Sequence, residues 1–117
     1  MLTVGDDVAG FSAELEEGLN SIRVIGRGFW SADVARAIAP KVRELSSEHP
    51  RVTEFVFDMR DLKPMRDEGQ QSFLEIISWV GHLRNPKMRI LTSSPLTKLQ
   101  FLRIVRESGA GDWIEVT

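Results

Sequence analysis

The segment Leu62-Lys63-Pro64-Met65-Arg66-Asp67-Glu68-Gly69 sets two cations and two adjacent carboxylates around a proline and a glycine, directly after the run Phe55 to Asp58 and the linking residues Met59 to Asp61. With Asp58 and Arg60 these residues make a charged surface at the carboxyl end of a strand, where open α/β sheets commonly bind their ligands. The chemistry on offer is that of a contact surface for a protein partner. The plainer account is a turn shaped by Pro64 and Gly69, followed by two carboxylates at the positive end of a helix, an arrangement that stabilises by up to about 1 kcal/mol. The partner-contact candidates are Asp58, Arg60, Lys63, Met65, Arg66, Asp67, Glu68 and Gly69.

Other chemistry is poorly supplied. Gly26-Arg27-Gly28-Phe29-Trp30-Ser31 matches the start of a dinucleotide fingerprint but lacks its third glycine, and Trp30 would crowd a pyrophosphate. These glycines are expected to allow a bulge, with Phe29 and Trp30 covering the end of the core; Trp79 and Trp113 are also read as packing residues. Thr92-Ser93-Ser94-Pro95 brings hydroxyls to a helix start, where ordinary capping and anion binding both remain open. His49 and His82 share no metal-ligand spacing with each other or with paired carboxylates, so no metal site is expected. There is no cysteine and no G-x-S-x-G elbow, and no histidine stands where it could activate a serine. The expectation is a non-enzymatic protein without a cofactor.

The elements that position the charged segment follow from periodicity. Phe11 to Leu15 and Ile22 to Gly26 alternate around the turn residues Glu17 to Asn20 and predict an antiparallel hairpin. Ser31 as N-cap and the stripe Val34, Ile38, Val42 and Leu45 predict helix one, which Pro40 should bend by removing one amide. Thr53 to Asp58 reads as a buried strand and Asp67 to Leu83 as helix two, so the charged segment joins a strand to a helix. Lys87 to Leu91 is the next strand, Ser94-Pro95 opens helix three, Gly109 closes it, and Trp113 to Val116 is a last strand. The order is β-β-α-β-α-β-α-β, an α/β mixed sheet of about five strands whose helix-linked members run parallel through right-handed crossovers.

Length and composition set the outer bounds. With 117 residues, 42% hydrophobic and 27% charged, the chain suits one globular domain over 1–117, its residues 1–10 read as an N-terminal extension. A net charge of −2 gives no overall attraction to nucleic acid. The absence of cysteine, of an apolar run of membrane-spanning length and of a signal-peptide pattern leads to the expectation of a cytoplasmic protein with no transmembrane segment.

This order, with "EFVFD" followed after a loop by "MRDEG" at a helix start, resembles the STAS domain of bacterial anti-sigma-factor antagonists, the SpoIIAA-like fold, over roughly Phe11 to Val116. In that family the loop typically reads Asp-Ser-Ser-Gly, and a partner kinase that doubles as the anti-sigma factor phosphorylates the second serine. Setting Gly69 on the family glycine puts Glu68 on the acceptor serine, Asp67 on the serine before it and Arg66 on the family aspartate. Glu68 cannot carry a stable phosphomonoester, so no phosphorylation is expected there. Its carboxylate has about one charge against roughly −1.5 to −2 for phosphoserine. Ser72, about one helical turn further on, is the weak candidate for a replacement acceptor. A looser resemblance, carried by "FWSADVARAIAPKVRELSSEH", is to small bacterial STAS/SEC14-like proteins. The resemblance implies a signalling module that binds a protein partner. The alternative it raises is a domain that holds a small hydrophobic, lipid-like ligand between sheet and helices. A homodimer is an assembly the sequence permits.

Overall fold

Alternation in the first third of the chain builds the sheet before any helix forms. In the computed structural model, which describes Met1–Thr117, β1 (Leu2–Gly5), β2 (Gly10–Glu16) and β3 (Ser21–Gly28) are successive antiparallel strands. Then α1 (Ala32–Glu48), β4 (Glu54–Leu62), α2 (Asp67–Val80), β5 (Lys87–Leu91), α3 (Pro95–Ser108) and β6 (Ile114–Val116) follow. The six strands lie in the order β1-β2-β3-β4-β5-β6, with β3 to β6 all parallel. Each strand–helix–strand unit steps in the same direction along the sheet. Right-handed crossovers therefore carry all three helices to one face.

Strand alternation sorts the residues accordingly. Phe11, Ala13, Ile22, Val24, Phe55, Phe57, Met88 and Ile90 are buried beneath the helices. The opposite face carries Ser12, Glu14, Arg23, Ile25, Val56, Asp58 and Arg89 and meets water. Phe73 of α2 sits at the centre of the covered side. Its ring stacks on Trp30 at 6.3 Å and meets Phe57 at 5.4 Å and Phe101 at 4.9 Å edge to face. No helix is long and apolar enough to cross a membrane.

The sheet has one strand more than the expected five, because Leu2 to Gly5, within the stretch expected to be an extension, pairs with Gly10 to Ala13. Helix one runs unbroken through Pro40, which lies on its exposed side, where the Arg36 carbonyl that the proline leaves without an amide can turn to water. Helix two stops at Val80 instead of Leu83. Gly81, His82 and Leu83 continue as a turn, and Asn85 at φ 51° precedes Pro86. Strand β4 runs four residues past the expected Asp58, to Leu62.

That lengthening depends on Gly26. Ile25 pairs with Asp58 but Arg27 with Asp61, so β4 carries one extra residue opposite Gly26. The bulge flips the alternation, leaving Arg60 on the open face and turning Leu62 inward. Gly26 admits it by lacking a side chain: a Cβ there would stand 2.7 Å from Met59 Sδ and 3.0 Å from Trp30 Cζ2, both buried. Trp30 covers the core as expected, donating its indole N–H to the Gly10 carbonyl at 2.9 Å, whereas Phe29 is 54% exposed. Gly26→Ala is expected to lower the urea unfolding free energy by about 1–3 kcal/mol through overpacking. Gly18→Ala, whose Cβ meets nothing within 4 Å, serves as the control and should stay within about 0.5 kcal/mol of wild type.

Candidate functional site

The charged segment leaves β4 at the carboxyl end of the parallel strands and re-enters regular structure at Asp67. Bonds from β3, from α3 and from the loop before α3 hold the end of β4 and the short connection that follows it, residues 63–66. The Lys63 amide donates to the Gly28 carbonyl of β3 at 3.0 Å, and the Thr97 hydroxyl of α3 to the Leu62 carbonyl at 3.3 Å. The Ser93 hydroxyl donates to the Arg60 carbonyl. Gln100 of α3 grips Met65 on both sides: its Oε1 accepts from the Met65 amide at 2.7 Å and its Nε2 donates to the Met65 carbonyl at 3.0 Å. A side-chain amide used in this way satisfies two backbone groups that the turn would otherwise leave unpaired. The loop is thus a shaped ledge on which Lys63, Arg66 and Asp67 are exposed.

The eight candidates separate into two groups. Met65 is buried and points into the core, where its Cβ and Sδ would each be 3.0 Å from a Cβ on Gly69. Met65 and Gly69 therefore shape the ledge and do not belong to its surface. Asp58 is also removed from contact. Only 8% exposed, it lies on the open face of the sheet and accepts from Arg60 Nε at 2.9 Å, Arg60 Nη2 at 2.7 Å and Arg23 Nη2 at 2.9 Å. The forked bond from Arg60 outweighs burial, with further help from the charge of Arg23, and holds the Asp58 carboxyl down at about 2, against an ordinary 3.8.

Glu68 is half-buried and turns to α1, its Oε1 3.9 Å from Arg36 Nη2, while Arg36 also lies 3.8 Å from Asp33. Ser72 is buried, and its hydroxyl donates to the Ala35 carbonyl at 2.6 Å. It is a bolt between α1 and α2. This placement counts against Ser72, the weak candidate for a replacement acceptor, because its hydroxyl is buried and already donated to a carbonyl.

The other sequence candidates disperse. Thr92 donates its hydroxyl to the Thr117 carbonyl at 2.8 Å, and the Ser94 cap position makes no side-chain capping bond. The hydroxyls of Thr92 and Ser93 are thus used by carbonyls and do not converge on an anion site. His49 ends α1, His82 lies in the turn after α2, and no group of three or more histidine or acidic residues is placed to hold a metal ion. Trp79 packs its edge on Phe55 at 5.8 Å. A depression of about 690 Å³ is an open trough rimmed by Glu54, Lys87, Arg89, Trp113 and Glu115. It lies at the amino end of the parallel strands, away from the ledge, while aromatic rings fill the space between sheet and helices.

Sequence reasoning missed the residues that make the ledge rigid. Gln100 sits between the apolar positions Leu99 and Phe101, where nothing distinguishes a clamp from a solvated glutamine. Thr97 gave the same lack of signal. No family model matches the chain, and no curated protein is similar to it at the level of sequence.

Two outcomes test this geometry. The folded Asp58 pKa is depressed below its unfolded value, so its contribution to stability is complete above about pH 4 and disappears as pH falls through about 2. Asp58→Asn should lower stability at pH 6 by about 1–3 kcal/mol and flatten the acid limb of a urea-stability profile between those two values. Gln100→Ala should speed hydrogen exchange at the Met65 amide about tenfold or more, measured by mass spectrometry, while amides of β4 and β5 keep their protection.

Proposed function

We propose that this chain is a STAS-like, non-enzymatic regulatory domain that binds a protein partner through the β4–α2 ledge and lacks the phosphorylation switch of the SpoIIAA-like family. The observation that carries the reading is Glu68. It occupies the position the resemblance assigns to the acceptor serine, in the first turn of the helix after β4, and its carboxylate faces Arg36 of α1. The succession of strands and helices, with the loop at the carboxyl end of a central parallel strand, supports the assignment to that fold. A cytoplasmic setting fits the cysteine-free composition.

In the antagonists, addition of a doubly charged phosphate releases the partner. Here a carboxylate is built into the chain in place of a group added and removed by enzymes, and it lies 3.9 Å from the Arg36 guanidinium that Asp33 also approaches. Contact then rests on the exposed Lys63, Arg66 and Asp67, flanked by Arg60. Because Gln100 already fixes the backbone, little ordering entropy is lost on binding. The domain works as a constitutive binder whose control lies in its abundance or in its partner.

Lys63→Ala with Arg66→Ala should weaken capture of an anti-sigma-type protein kinase from the native host about tenfold or more, with unfolding midpoints near wild type. An undiminished capture would move the contact elsewhere. A second measurement addresses the family directly. Incubated with the captured kinase and ATP, the wild-type chain should keep its intact mass, and Glu68→Ser should gain one phosphate at position 68. A Glu68→Ser chain that binds the kinase yet stays unmodified would sink the correspondence with the acceptor serine.

A further inference from the structure

Helix α3 is apolar on both sides. Its inner face buries Thr97, Phe101 and Ile104, as the last helix over the sheet must. Its outer face exposes Leu96 at 65%, Leu99 at 62% and Leu102 at 41%. Three leucines at three-residue steps form a ridge along the outside, where a helix covering a sheet ordinarily turns polar residues. Lys98, Arg103 and Arg106 are exposed beside them, with Glu107 as the helix's only acid. None of these three cations takes part in an ion pair. A chain of net charge −2 therefore concentrates unpaired positive charge on one leucine-ridged helix.

We propose that the outer face of α3 docks the domain on an anionic lipid surface. Charge complementarity selects this occupant. A second copy of α3 would bring Lys98, Arg103 and Arg106 against their own kind with only Glu107 to offset them. The ridge is convex: none of Leu96, Leu99 and Leu102 lines the depressions at either end of the sheet or beside α2, whereas a protein partner's anchoring side chains seek pockets. A bilayer interface conforms to a convex ridge. Leu96, Leu99 and Leu102 enter among the upper acyl carbons while the long cationic side chains reach back to the phosphates. This attachment is peripheral, and it goes beyond the ledge, because it uses the outer side of α3 and none of the residues assigned to partner contact.

Co-sedimentation of the full chain with vesicles tests it. Vesicles of phosphatidylcholine and phosphatidylglycerol in equal parts should bind the chain about tenfold or more tightly than phosphatidylcholine alone, and added salt should weaken that binding. Leu96→Ser with Leu99→Ser, and separately Lys98→Glu with Arg103→Glu, should each lower binding about tenfold without shifting the thermal midpoint, because all four side chains are exposed. Equal binding to both vesicles overturns the proposal, as does binding that survives the leucine changes. Concentration-dependent dimerisation that the leucine changes abolish would also overturn it, by assigning the ridge to a second copy. Because Lys63 and Arg66 are untouched in these variants, loss of vesicle binding with retained kinase capture separates this surface from the ledge.

Discussion

The ring of Phe73 is the contact on which the remaining arrangement rests. It joins the strand-to-helix corner at Trp30, the central strand at Phe57 and the last helix at Phe101. Such aromatic pairs each contribute about 0.5–1.5 kcal/mol beyond the area they bury, and here three of them share one side chain. The consequence reaches the surface. Gln100 is the residue before Phe101, so the ring that fixes α3 also fixes the amide that grips Met65. The ledge is rigid because the core beneath it is.

Placing every helix on one face leaves the other face of the sheet to solve its own problem. A bare sheet of apolar residues would stick to others of its kind. The open face instead carries Glu14, Arg23, Asp58 and Arg89, and the Arg23–Asp58–Arg60 cluster sits near its centre. Asp58, which looks from the sequence like the first residue of a contact loop, is occupied in keeping two guanidinium groups ordered on that face. Ordinary alternation sets Arg60 beside Asp58, and the bulge opposite Gly26 then turns Leu62 inward two residues later.

Much of this order could be read from residue patterns alone. The hairpin, the three helices, the parallel strands and the position of the charged connection follow from alternation, helical stripes and caps such as Ser31, whose hydroxyl accepts from the Val34 amide at 3.3 Å. What escaped was controlled by tertiary contact. Leu2 to Gly5 is too short to announce a strand without its partner. The far half of β4 breaks alternation because of one glycine on a neighbouring strand. Met65 and Ser72 look like surface residues in the chain and are interior ones in space, since helical phase does not reveal which neighbour a short loop brings near. Gln100 acts across 35 residues, a separation at which local pattern says nothing.

The strand order β1-β2-β3-β4-β5-β6 is also the order in which the residues are made. A chain emerging from the ribosome can therefore lay each new strand against an edge that already exists. Loop-closure entropy is met in short instalments, because no strand waits for a partner from the far end of the chain. At every stage the growing sheet has one fresh edge, and the helix just synthesised arrives in time to cover the strand beside it. The last addition, the three-residue β6, leaves an edge too short to template a further strand well. Vectorial synthesis and spatial order coincide in this molecule.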